Sequence, residues 1–275
     1  MTVLLYAALL PAIVLMVYVY KKDHVEREPV GVILKVFLIG AAMGPVAGLI
    51  ESMLFKVFES SITNEIALLI IEYFIGVALV EELCKFFALN TVRRNPAFNY
   101  VFDGIVYGAA AALGFAALEN VLYVFDGGMG VAISRAIFAV PGHFADGVTM
   151  GCFYGLARKY ELLGDRDKVV SYRFASIAIP VLEHGFYDTA LSTDVDALIL
   201  LSLAVDIAFI GFAIYLIRRI SKEDEPFNTL AGGSNTPGVT GPHVGYQQQP
   251  GQMPANYQQQ PNQFPTNPQN PTTYR

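Results

Sequence analysis

The sequence predicts an all-α, polytopic transmembrane bundle of about seven helices, and three observations carry that prediction. Only 15% of the 275 residues are charged and 54% are hydrophobic, whereas a soluble domain carries about 25% charged residues. Mean hydropathy is +0.45. The apolar residues fall into separate runs of roughly the ~20 residues that cross a bilayer core. Such a composition excludes an ordinary soluble enzyme and leaves no basic surface for a nucleic-acid partner.

The elements follow in order. Residues 1–20 are apolar and Lys21-Lys22 comes directly after them. A cleavable signal peptide has its charges before the apolar core, so this run reads as an uncleaved first helix with its N-terminus outside. Residues 30–50 form the second span, and the polar stretch 51–65 reads as an amphipathic surface segment. The third span covers about 66–90 and the fourth about 101–125. The fifth covers about 129–158, with Gly147, Gly151 and Gly155 at every fourth position, a spacing that lets helices approach closely. Pro141 lies inside this long fifth run, and a break there would raise the count to eight. The sixth and seventh spans are about 172–191 and 195–217.

Basic residues give the orientation. The segments assigned to the inside hold thirteen lysines and arginines, against Lys56 alone in the outside loops. This asymmetry predicts an outside N-terminus and an inside C-terminus in the cell membrane. The expected domain is residues 1–222, with helices about 66–191 as its core. Residues 223–275 are rich in Gly, Pro, Asn and Gln and lack core-forming residues. They read as a disordered cytosolic tail able to bind a partner. Cys84 and Cys152 lie in apolar runs and read as small buried residues.

Ionisable residues inside spans are expensive, and each is a functional candidate. Glu81 and Glu82 are adjacent in the third span, with Lys85 one turn later. Lys85 is i+4 from Glu81 and i+3 from Glu82, within reach of both. One carboxylate held in an ion pair leaves the other to act as a general base. The better i+4 geometry assigns the pair to Glu81 and the base role to Glu82. Glu119, with Asn120 beside it, is deep in the fourth span. His143 and Asp146 share one helical face in the fifth, and His184 and Asp188 share one in the sixth. Each aspartate is placed to orient its imidazole. All these groups meet in one cavity if helices three to six cluster.

Carboxylates plus imidazoles point to activation of water. There is no HExxH helix, and two routes stay open. In one, His143, His184 and Glu82 hold a metal such as zinc while a second glutamate is the base. In the other, a glutamate activates water unaided, and a histidine or Asn120 stabilises the oxyanion.

Glu81-Glu82-x-x-Lys85, Phe115-x-x-x-Glu119-Asn120, His143 before a Gly-rich helix, and then His184 occur in that order. Over about residues 70–190 this resembles the PrsW family of intramembrane proteases. That family is related to the CAAX prenyl endopeptidases and bacteriocin-processing enzymes. The resemblance implies hydrolysis of a membrane-embedded protein, in the best-known members an anti-sigma factor cleaved at site 1 of a signalling cascade. It also implies that Glu81, Glu82, Glu119, His143 and His184 are the catalytic set. The last motif ends in Asp188, where Asn is expected. The competing reading of the same residues is a proton-coupled transporter or channel, in which they form a proton relay.

Overall fold

The computed structural model describes residues 2–24 and 26–230, and every regular element among them is helical. The helices are α1 (Thr2–Lys22), α2 (Val30–Ser61), α3 (Glu65–Ile71), α4 (Leu79–Asn90) and α5 (Val101–Ile137). They continue with α6 (Ala139–Leu162), α7 (Arg166–Leu191), α8 (Asp196–Glu223) and α9 (Phe227–Leu230). A π-helical stretch, Glu72–Ala78, joins α3 to α4 without leaving helical geometry. Each expected span overlaps a helix. By length and composition, four stretches can cross a membrane: Thr2–Lys22, Val30–Ser61, Val101–Leu162 and Asp196–Glu223. Their outward faces carry exposed Leu10, Ile13, Leu34, Leu49, Leu200 and Ile207, as a lipid-facing surface requires.

The Val101–Leu162 stretch has 62 residues, about three times what one crossing needs. It folds back on itself at Gly128, whose φ/ψ of 74°/−159° is a conformation that glycine adopts readily, and Arg135 beyond the turn reaches back to Glu119 and Asn120. Val101–Gly108 then runs antiparallel to Gly147–Gly155 of α6 with almost no side chain between them. A Cβ placed on Gly108 would lie 2.2 Å from the Gly147 carbonyl oxygen, and one on Gly151 would lie 2.0 Å from that of Gly104. Only glycine permits this approach, which brings backbone against backbone. Every residue from Val101 to Ala117 is buried, so α5 is the central helix. α2 packs on its other side with the same device, since a Cβ on Gly114 would meet the Phe37 carbonyl at 2.0 Å.

Three departures from the sequence reading have simple causes. Residues 51–61 are not a separate surface segment but the last turns of α2, and this extension carries Glu51 and Phe55 to the cavity described below. Pro141 breaks nothing. It sits in the first turn of α6, where its missing N–H has no helical partner to lose. Residues 224–230, assigned above to the tail, pack back on the bundle. Phe227 N–H donates to the Asn99 carbonyl at 2.9 Å and its ring lies 6.3 Å from that of Phe98. The remainder of the expected tail, 231–275, lies outside the described residues.

Candidate active site

α4 begins immediately after the π-helical stretch, and its first turn carries Glu81 and Glu82. Such widened turns often accompany functional sites. Lys85, one turn on, is fully buried and touches almost everything that matters. Its Nζ lies 2.6 Å from Glu82 Oε1, 3.3 Å from Glu81 Oε2 and 2.9 Å from His143 Nδ1, with the Phe115 ring 4.9 Å away. The tighter partner is therefore Glu82, the reverse of what i+4 geometry alone suggests. The tertiary neighbours explain the reversal, since His184 Nδ1 also lies 2.8 Å from Glu82 Oε1 and holds that carboxylate in place.

His143 is held at both nitrogens. Lys85 is an obligate donor at Nδ1, so Nε2 carries the proton and donates to Glu119 Oε2 at 2.8 Å. Asp146, expected to orient this ring, is not its partner; Glu119 has that position. Arg135 anchors Glu119 in turn, with Nη2 at 2.8 Å from Oε2 and the guanidinium 4.2 Å over the Tyr123 ring. Asn120 turns away from the site, accepting from Arg135 Nε at 2.8 Å and donating to the Ala8 carbonyl at 2.7 Å. It ties α1 to the hairpin and does not face a reacting group. His184 places Nε2 3.1 Å from Asp188 Oδ2, as the i+4 spacing predicts. Both its nitrogens thus face carboxylate oxygens, and the ring donates from both in this arrangement. The two imidazoles meet edge to face with centroids 5.4 Å apart.

A cavity of about 640 Å³ opens onto this cluster, lined by Glu81, Glu119, His143, Asp146, His184 and Asp188, among others. Glu82 and Lys85 stand behind its wall, whereas Glu81 faces it. The structure also brings in residues that sequence reasoning passed over: Glu51 from α2, Arg135 from α5, Glu183 from α7 and Asp206 from α8. Arg135 was hidden inside the presumed fifth span. Asp206 gave a clear signal, being the lone acidic or basic residue between Asp196 and Arg218.

The donor set suits a metal ion. Glu82, His143, Asp146 and His184 each offer one ligand atom, all within 4.8 Å of one another, and Glu81, Glu119 and His143 form a second such group. Glu82 Oε2 and Asp146 Oδ1 are buried without hydrogen-bond partners, which leaves both free to ligate. Two imidazoles and two carboxylates are ordinary zinc ligands.

Comparison with known proteins decides the family. Residues 28–217 match the sequence profile described as PrsW family intramembrane metalloprotease. The chain belongs to the PrsW family. It is 35% identical over 191 residues to Protease PrsW of Clostridioides difficile (strain 630), covering 67% of this chain and 77% of that protein. It is 35% identical over 190 residues to Protease PrsW of Bacillus subtilis (strain 168), covering 68% and 83%. No solved structure matches it. This PrsW-family chain is therefore a membrane peptidase whose substrate is a membrane protein in the bilayer. Membership removes the transporter reading.

Proposed function

We propose that the chain is an intramembrane endopeptidase that cuts a membrane-embedded protein with water activated by Glu81. The observation that supports this is the convergence of Glu81, Glu82, Glu119, His143 and His184 around the buried Lys85, with Glu81 as the glutamate facing the cavity. Glu82 is engaged by Lys85 and His184 together and is a holding group. Glu81 accepts a proton from water as the water oxygen bonds to the scissile carbonyl carbon. The resulting oxyanion is stabilised by the Nε2–H of His184, which turns from Asp188 to donate to it. Glu81 then returns the proton to the departing amine as the C–N bond breaks. A divalent ion held by Glu82, His143, Asp146 and His184 would supply Lewis-acid polarisation of the water or the carbonyl. It would exchange with positive charge now supplied by Lys85 and the His184 protons.

The substrate proposed is an anti-sigma factor, and the orientation proposed is the one derived from the basic residues, several crossings of the cell membrane with the N-terminus outside. The test uses the full chain in nanodiscs and a single-span reporter substrate. Glu81→Gln and His184→Ala are expected to lower cleavage by about 10²- to 10⁴-fold without lowering the thermal transition. Retained cleavage in both would sink the catalytic assignment. Exhaustive chelation is expected to stop cleavage and zinc to restore it, and activity indifferent to both would remove the metal.

A further inference from the structure

The cavity holds more carboxylates than the proposed chemistry uses. Glu119 is taken by Arg135 and His143, Asp188 by His184, and Glu81 by Lys85. Glu183 and Asp206, on α7 and α8, also line the cavity beside Asp146 of α6, which is counted above with the ion-holding groups, yet among the described residues none of the three has a hydrogen bond or ion pair. The exposures of Asp146, Glu183 and Asp206 are 2%, 9% and 1%, and Asp146 Oδ1, Glu183 Oε1 and Asp206 Oδ2 are buried oxygens without partners. A carboxylate at bilayer depth is retained only with a partner or in a water-filled cavity, and buried polar atoms without partners are rare in native proteins. A bound ion would answer Asp146, but Glu183 and Asp206, on facing helices beside it, mark a place where something cationic is completed from outside the chain.

Asp206 is fixed to this place. A Cβ on Gly142 of α6 would lie 3.1 Å from its Oδ1, so the α8 carboxylate sits against the cavity wall one helical turn from Asp146. Glu183 is the residue before His184. The spacing disfavours a second metal, since among the described residues neither Glu183 nor Asp206 belongs to any group of three ligand atoms within 4.8 Å. An ammonium or guanidinium group, with three or five donors at the end of a long stem, spans wider separations.

Taking the protease reading as given, we propose that Asp206 and Glu183, at the edge shared with Asp146, form a subsite that receives a basic side chain of the substrate, lysine or arginine. The chain would then select membrane-embedded segments with one basic residue near the scissile bond. Such residues are rare at mid-span, so the subsite would discriminate strongly among otherwise similar apolar helices.

The test separates binding from hydrolysis. The full chain carrying Glu81→Gln is placed in nanodiscs, and its affinity is measured for apolar single-span peptides with one lysine scanned along the sequence. The same peptides with glutamine serve as reference. At one window of positions the lysine peptide is expected to bind about tenfold tighter or more. Adding Asp206→Asn should bring the lysine-to-glutamine ratio towards one, and Glu183→Gln should do so independently if the first variant folds poorly. Comparing ratios between variants cancels the peptides' different partitioning into lipid. Equal binding at every position, or a ratio unmoved by both variants, overturns the subsite. A ratio abolished by chelation assigns the carboxylates to a metal and also overturns it. Cleavage by the wild-type chain is scored separately. Peptides bound with the lysine preference but never hydrolysed would contradict the protease reading and leave the subsite standing.

Discussion

The α5–α6 hairpin has two halves that solve opposite problems. In one, Val101–Ala117 faces Gly147–Gly155, with backbones so close that a Cβ at Gly108 would lie 2.2 Å from a carbonyl oxygen. That half is dry and small-residue, held by van der Waals contact. In the other, Glu119, Arg135, His143 and Asp146 line an open cavity. The close half leaves no slack, so it fixes where the polar half points. The polar half contributes little packing and concentrates the chemistry. The proposed catalytic cluster thus depends on glycines that lie outside it.

The contrast can be broken most sharply by exchanging the two kinds of damage. Glu82→Gln should leave folding intact while removing activity by about 10²-fold or more, read by reporter cleavage alongside the thermal transition. Gly108→Leu should do the reverse. Overpacking costs about 1–3 kcal/mol in an ordinary core, and a clash with rigid backbone should exceed that, giving little folded protein by size-exclusion. Gly48→Ala, with nothing within 4 Å of an added Cβ, should shift the same measurement by less than about 0.5 kcal/mol. Arg135→Ala should lower activity about tenfold by freeing Glu119, with partial recovery in Arg135→Lys, because lysine keeps the charge and loses the fork.

The smallest expected effect lies outside both halves. In the α1–α2 loop, burial pushes Glu28 up from its ordinary 4.5 to about 7, against hydrogen bonds with Asp103 and Tyr107 that act the other way. The folded state therefore binds the extra proton. Its stabilising contribution is fully present below pH 4.5 and is lost as pH rises through about 7. The thermal transition should fall between pH 5 and 7.5, and Glu28→Gln should flatten that slope.

Much of this was legible in the residues. Apolar runs of membrane length mark the helices, and four motifs in order mark the proposed catalytic groups. Tertiary contacts decided the rest. The i+4 rule favours Glu81 as the partner of Lys85, but His143 and His184 pull the ammonium and Glu82 together. Pro141 reads as a break from sequence, since its place in the first turn depends on Phe138. Gly104 and Gly108 matter only because Gly147 and Gly151 face them. Asp206 was visible as a charge in an apolar run, though its meaning appears only once α8 is seen against α6.

The central claim is that Glu81 and its neighbours cut a membrane-embedded protein. Quantitative proteomics of membranes from cells carrying the wild-type chain or the Glu81→Gln, Glu82→Gln double variant tests it most directly. The account predicts that a single-span protein accumulates full-length in the variant and appears as a cleaved fragment with the wild type. Identical membrane proteomes, with both chains inserted at equal levels, would contradict it.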